Sequence, residues 1–290
     1  MTIKKLKEHF NQELKALYPS EEIQSFFSIL SETVLGYTRF QVSLNGDEEL
    51  SEENKLKFKD ALARLKNNEP IQYITGETEF FGLPFKVNKH TLIARPETEE
   101  LVEWMLKIIP PLSGARGVLA QEEYAVLDIG TGSGCIAITL AKHLENATIS
   151  ALDISEEALL IAGQNAKINE VTVTFFQTDI LSAKVLPRQY DVIVSNPPYV
   201  RDLEKQKMQK NVLEYEPEIA LFVTNDDPLL FYRTIAQLAK KYLKPNGFLI
   251  FEINEYLSDE MKSMLETMGF QDIEIKKDIF KKPRMLKCNL

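Results

Sequence analysis

Long apolar runs are missing from this 290-residue chain; none approaches the ~20 residues a membrane-spanning helix needs. The opening segment, Met1 to Phe10, has no apolar signal-peptide core. Cysteine is nearly absent. Cys135 and Cys288 form neither a disulfide framework nor a metal-ligand spacing. The three histidines, His9, His90 and His143, are scattered singly. These absences argue for a soluble protein in a reducing, cytoplasmic setting, with no membrane partner and no metal. Positive charge is also short. The net charge is -9, with acidic residues spread over both halves. Nucleic-acid binders draw most of their affinity from a basic face. The one basic cluster, Lys276 to Lys287, reads as a solvated edge hairpin, so stable nucleic-acid binding is not expected.

What is present suffices for a real core. Apolar residues make up 44% of the chain, and its length is comfortable for two domains. Ile3, Leu6, Phe10, Leu14 and Leu17 recur at helical spacing, as do Ile23, Phe26, Phe27 and Leu30. Pro19-Ser20 is the expected break and N-cap between them. Ser51 is placed to cap a third helix bearing Phe58, Leu62 and Leu65, and Asn67 to Pro70 is a stop signal. Residues 1–70 are therefore expected to form a small helical bundle. Residues 71–94 form a linker, with Phe80 to Val87 as a hairpin.

From about residue 95 the pattern changes. A helix over Glu97–Ile109 and a surface loop over Leu112–Glu123 precede an alternation of strands and helices. Strands are expected at 124–129, 148–152, 171–176, 190–194 and 248–253. Helices are expected at 135–144, 156–169, 229–242 and 258–268. Residues 272–276 and 285–289 look like a terminal strand pair. This order argues for an α/β domain over 95–290, with a mostly parallel sheet and helices on both faces.

Asp128-Ile129-Gly130-Thr131-Gly132-Ser133-Gly134 lies between a strand and a helix. Glycines let the backbone approach a ligand and open the helix N-terminus toward it. The spacing differs from the dinucleotide fingerprint, and alone it also fits a tight βα connection. Asp153 ends the next strand, 23 positions after Gly130. An acid there accepts from ribose hydroxyls, or else caps the following helix. Asp179 follows the third strand and is suited to an adenine amino group, or is a turn acid. All three acids fall just past strand C-termini, where open α/β sheets bind ligands. Two ligands remain open: a dinucleotide in a truncated site, or a nucleoside without phosphate such as S-adenosylmethionine. Asp128 and Tyr199 would suit its cationic sulfonium.

Asn196-Pro197-Pro198-Tyr199 ends the fourth strand. Prolines lack an N–H, so the loop offers acceptors and few donors. The Asn196 side chain and the Pro197 carbonyl are matched to both N–H bonds of one NH2 group, with Tyr199 stacking on its plane. Two such acceptors favour a more tetrahedral nitrogen during methyl transfer. The product cation is acidic, so no tuned general base is needed. Cys135 reads as a small buried residue rather than a reactive thiol.

The segment from Tyr124 resembles class I S-adenosylmethionine-dependent methyltransferases, and Asn-Pro-Pro-Tyr narrows that to amino-methylating members. These include DNA adenine-N6, ribosomal RNA guanine-N2 and protein glutamine-N5 enzymes. Pro70-Ile71-Gln72-Tyr73-Ile74-Thr75-Gly76, Phe80-Phe81-Gly82 and Arg95-Pro96-Glu97-Thr98-Glu99 resemble the bacterial release factor glutamine methyltransferase family. Glu216-Pro217 with Ala220-Leu221 does too. The resemblance covers nearly the whole chain. It implies a Rossmann-like domain that methylates the glutamine of the Gly-Gly-Gln motif in class I peptide chain release factors. It further implies that Gly130, Thr131, Gly132, Ser133 and Gly134 approach the cofactor and that Asp153 holds its ribose. Asp179-Ile180 would border the adenine, and Asn196 to Tyr199 would bind glutamine, with Asn196 also near the cofactor. The helical domain is expected to contact the release factor, and a monomer is the default.

Three positions depart from the family pattern: Ala94 in place of proline, and Asn254 and Lys281 in place of glycine. None is expected to touch a residue assigned to chemistry. Two other readings stand beside the leading one. A nucleic-acid amino-methyltransferase would need a basic groove. A non-catalytic adaptor would need a vestigial nucleotide site.

Overall fold

In the computed structural model, residues 1–109 and 123–290 are described. The loop expected over Leu112–Glu123 therefore lies outside the described residues, except for Glu123. The chain divides into two units, residues 1–76 with 209–215, and residues 77–208 with 216–290. Among the described residues no helix is long and apolar enough to cross a membrane.

The apolar stripes of the first unit become buried helix faces. Ile3, Leu6, Phe10 and Leu14 are the buried positions of α1 (Ile3–Leu14). Leu17 was expected to continue this stripe but is exposed, because the helix ends at Leu14 and Pro19 follows. The stripe from Ile23 to Leu30 lies on α2 (Ser20–Leu35), whose N-cap is Pro19; Ser20 is the first helical residue instead of the cap. A short α3 (Arg39–Leu44) was not anticipated; Thr38 and Gln41 close a capping box around its start. Ser51 caps α4 (Glu52–Lys66) by accepting from the Asn54 amide at 3.2 Å. Phe10, Phe27 and Phe58 form a ring cluster with centroids 5.5 to 5.9 Å apart. Such buried aromatics dominate a small core. Residues 67–70 do stop α4, yet Pro70 immediately starts α5 (Ile71–Thr75), whose Ile71 joins the same core. Gly76 ends α5 with φ +78°, a conformation that costs glycine nothing.

The second unit opens with β1 (Glu77–Phe80) and β2 (Leu83–Lys86), an antiparallel hairpin. Its turn needs positive φ at both Phe81 and Gly82. Then follow α6 (Pro96–Ile108), β3 (Tyr124–Ile129), α7 (Cys135–His143), β4 (Ala147–Asp153), α8 (Glu156–Ile168), β5 (Thr174–Gln177) and β6 (Tyr190–Ser195). Short elements come next: β7 (Val200–Arg201), a 3-10 turn over Asp202–Lys207, α9 (Lys210–Tyr215, part of the first unit), α10 (Glu218–Leu221) and β8 (Phe222–Val223). The chain closes with α11 (Leu230–Tyr242), β9 (Leu243–Glu252), α12 (Ser258–Thr267), β10 (Gln271–Lys277) and β11 (Pro283–Asn289).

Among the described residues the main sheet has seven strands in the order β10-β11-β9-β6-β3-β4-β5. Strands β5, β4, β3, β6 and β9 run parallel, and β11 is antiparallel to both its neighbours. This is an α/β, Rossmann-like arrangement. The strand order reverses between β3 and β6, which makes the C-terminal edge there the expected ligand crevice. Buried apolar runs on β3, β6 and β9 hold the sheet between two core clusters, one on each face. The strand expected from Val171 starts at Thr174, because Glu170 turns left-handed and the Val171 amide donates to Ala166, closing α8. The strand expected from Phe248 starts at Leu243, and its ladder to β6 shifts register between Tyr190 and Val192. Gly247 fits there because a Cβ would lie 2.8 Å from the Asp191 carbonyl. The basic stretch near Lys276 is on the edge hairpin of β10 and β11, with Lys276 and Lys287 each over the Trp104 ring.

Candidate active site

Strand register assembles the site. Ile129 pairs with both Leu152 and Ser195, and Asp153 pairs with Gln177. The residues that follow, Gly130, Asp153 to Ile154, Thr178 to Asp179, and Asn196, therefore lie along one sheet edge. Gly130, Asp153, Asp179 and Asn196 all fall there.

The glycine loop is tightly tied. The Gly130 and Thr131 amides donate to the Leu152 carbonyl at 2.9 and 3.0 Å. Asn165 of α8 donates to the Ser133 carbonyl at 2.9 Å and clasps the Lys86 backbone on the hairpin. Gly130 and Gly132 have φ +74° and +56°, and a Cβ on either would meet nothing within 4 Å. The space over them is open, as a ligand approaching the backbone requires. Gly134 differs: at φ +84° its Cβ would lie 2.7 Å from Ile138 Cδ1 and 3.2 Å from Ala162 Cβ. Its freedom serves the packing of α7 on α8.

Asp153 is not the cap of α8. Ser155 is, accepting from the Ala158 amide at 3.1 Å. The Asp153 carboxylate instead accepts from the Gly132 amide at 2.8 Å and from the Ser155 amide at 3.0 Å. Each oxygen keeps a lone pair for another donor. Asp179 turns its Oδ1 to the Leu181 amide at 2.9 Å, and Ile180 beside it is buried. Asp128 is fully buried. Thr131 donates to its Oδ2 at 2.6 Å, while among the described residues Oδ1 has no partner within hydrogen-bond geometry. Burial pushes this carboxyl up to about 7, against the pull of the Thr131 hydroxyl and the Ala137 amide. A buried anionic oxygen without a donor is costly, and a nearby cation would relieve it. Cys135 is partly buried, and desolvation pushes its thiol up to about 12, so it is not a thiolate.

Asn196 is half-buried and donates through Nδ2 to Thr98 Oγ1 at 3.3 Å. Thr98 in turn donates to Glu252 Oε2 at 2.7 Å. The other oxygen of Glu252 accepts from the Tyr199 hydroxyl at 2.8 Å. Burial, together with the Glu252 carboxylate, holds the Tyr199 phenol well above its ordinary value. Among the described residues no hydrogen bond reaches Asn196 Oδ1 or the Pro197 carbonyl. The Asn196 corner thus presents unclaimed acceptors.

Thr98 and Glu252 had not been singled out for the site. Glu252 carries the one available signal, a lone acid within the apolar run Leu249 to Ile253. Asn254 corrects an expectation: its Nδ2 donates to the Tyr199 carbonyl at 3.0 Å and to Glu204 at 2.9 Å, so this departure does touch the acceptor loop. Lys281 adopts φ +63°, a left-handed geometry that glycine takes without strain. The Arg95 and Glu216 motifs also meet, through a 2.6 Å ion pair.

A release factor glutamine methyltransferase of Flavobacterium psychrophilum is 49% identical over 289 residues, covering 100% of this chain and 99% of the relative. This chain belongs to the release factor glutamine methyltransferase family. A family member from Bacteroides thetaiotaomicron is 43% identical, with 97% and 98% covered. Residues 5–76 match the PrmC N-terminal domain, and residues 116–218 match the Methyltransferase small domain. Among solved structures, the hMettl16 catalytic domain in complex with MAT2A 3'UTR hairpin 1 has a TM-score of 0.55 at 15% identity, with 90% of each chain covered. A methyltransferase from Pyrococcus furiosus has a TM-score of 0.51 at 19% identity, covering 79% of this chain and 98% of that one. These two likenesses show the methyltransferase fold that the family shares, and nothing finer.

Proposed function

We propose that this protein transfers a methyl group from S-adenosylmethionine to the side-chain amide nitrogen of the glutamine in the Gly-Gly-Gln motif of class I peptide chain release factors. One observation carries the acceptor half of this reading: Asn196 gives its NH2 to Thr98 and keeps its oxygen unclaimed. An amide NH2 needs such acceptors. The family membership supplies the substrate.

The residues fit the cofactor. Open space over Gly130 and Gly132 leaves room for close approach, and the unpartnered Asp128 Oδ1 suits a cationic ligand. When bound, the cofactor supplies an electrophilic methyl on a sulfonium. Asp153 would hold the ribose with its remaining lone pairs, and the Asp179-Ile180 turn would border the adenine. Thr131 and Ser133 complete the loop, with Thr131 fixing Asp128.

Asn196 Oδ1 and the Pro197 carbonyl would accept the two N–H bonds of the glutamine amide, and Pro198 and Tyr199 would flank its plane. Holding both hydrogens drives the nitrogen toward a tetrahedral geometry, which frees its lone pair. The transferred product is a strong acid that loses its proton to water, so the residues provide position and polarity and no general base. The helical unit would contact the release factor. A cytoplasmic setting and a monomeric state belong to the same proposal.

Mass spectrometry of release factor incubated with the protein and cofactor tests the reading. The expected product carries one methyl on the Gly-Gly-Gln glutamine. Methyl transfer to DNA or ribosomal RNA alone would overturn it. Removal of residues 1–76 is expected to raise the apparent KM for release factor far more than that for the cofactor.

A further inference from the structure

Glu252 is buried at the end of β9, where Ser195 pairs with Phe251 and so sets Glu252 beside Asn196. Its two oxygens accept from two hydroxyls, Thr98 and Tyr199. A threonine hydroxyl has one hydrogen. Because Thr98 spends it on Glu252, Thr98 can only accept from Asn196. The amide of Asn196 is thereby forced to point its NH2 at Thr98 and its oxygen away.

We propose that Glu252 is a positioning residue that, acting through Thr98, sets the polarity of the Asn196 amide and so makes it an acceptor for the substrate NH2. The inference rests on the proposed function and adds a condition to it: the relay works only while Glu252 is ionised. A protonated Glu252 becomes a donor to Thr98. Thr98 then turns its own hydrogen to Asn196, whose oxygen rotates to meet it. A donor would now face the substrate amide, where an acceptor is required.

The groups that act on the charge of Glu252 come from several elements. Thr98 and Tyr199 donate to the carboxylate, Tyr232 donates to its backbone carbonyl at 3.1 Å, Arg284 is the nearby cation and Glu97 the nearby anion. Burial is the largest influence and raises the carboxyl above its ordinary value, opposed by the two hydroxyls and Arg284.

The test compares wild type with Glu252→Gln, Thr98→Val and Thr98→Ser. It measures kcat on release factor across pH, and cofactor Kd by calorimetry. A carboxamide offers one acceptor oxygen where the carboxylate offers two, and valine offers none. Each of these two variants is expected to lower kcat about ten-fold with cofactor Kd unchanged, the effect of one polar contact. Thr98→Ser, which keeps the hydroxyl, is expected to stay within about three-fold of wild type by the same reckoning. The wild-type acidic limb in kcat is expected to persist in Thr98→Ser and to vanish in Glu252→Gln. Full kcat in Thr98→Val, or equal losses in the valine and serine variants, would overturn the relay. So would an acidic limb that survives in Glu252→Gln. The Thr98 pair decides the matter even if Glu252→Gln does not fold. Absence of glutamine methylation by wild type would instead overturn the proposed function itself.

Discussion

The Gly132 amide donates to Asp153 Oδ2 at 2.8 Å, joining the glycine loop after β3 to the acid that ends β4. One carboxylate thus shapes the loop and holds the turn into α8. Asp153→Ala is expected to weaken cofactor binding about 10- to 100-fold, the scale of losing charge-assisted hydrogen bonds. Calorimetry checks this, and the KM for release factor is expected to stay near the wild-type value.

The acceptor corner is expected to behave in the opposite way. Asn196→Ala removes the oxygen proposed to hold the substrate amide. Turnover is expected to fall by roughly 10²–10³-fold, as when a preorganised polar contact is lost. Cofactor affinity is expected to remain near normal. An equal loss of cofactor binding would remove Asn196 from the acceptor role.

The glycines separate into two kinds. Gly134→Ala is opposed by the left-handed backbone at φ +84° and by Ala162 Cβ at 3.2 Å, while Ile138 Cδ1, 2.7 Å away, is a side-chain end that can turn aside. A loss of about 1–2 kcal/mol is expected in denaturant unfolding. Gly132→Ala meets no atom within 4 Å, so only the left-handed backbone, at about 1 kcal/mol, opposes it. Its main expected effect is weaker cofactor binding.

Asp128 links stability to pH. Its folded carboxyl is raised to about 7, chiefly by burial, above the ordinary 3.8. The native state therefore holds a proton that the unfolded chain has released. Its contribution to stability is complete below about pH 4 and is lost as pH rises toward 7, at up to about 1.4 kcal/mol per pH unit. Asp128→Asn is expected to flatten this segment of the stability profile of the cofactor-free protein. Cofactor binding is expected to release a proton near pH 6, since a cation favours the carboxylate. Titration calorimetry in buffers of different ionisation enthalpy reads that proton directly.

Much of the fold was legible because its signals are local. Helical stripes such as Ile3 to Leu14 and the alternation after Tyr124 reflect which face each element buries. The short elements between Val200 and Val223 were not foreseen, since segments of two to six residues carry too few periods to register. Leu17 falls three residues past the end of α1, and the cap of α2 lies one residue before Ser20, both at helix boundaries, where local signals are least precise.

By itself the sequence determined the candidate site's inventory: polar residues that end apolar strands, at Asp153, Asp179 and Asn196, and glycines that open a helix. Each of those signals is local, since the polar residue or glycine and the apolar strand it follows are adjacent in the chain. Only the tertiary structure decided which way those groups face. Thr98 and Glu252 meet across 154 positions, and Asn254 reaches the Tyr199 carbonyl across 55. Hydrogen-bond polarity is a property of such pairs: a threonine next to an asparagine can give or take, until a third group claims its one hydrogen. Strand register brings that third group into place, and register depends on the packing of the whole sheet.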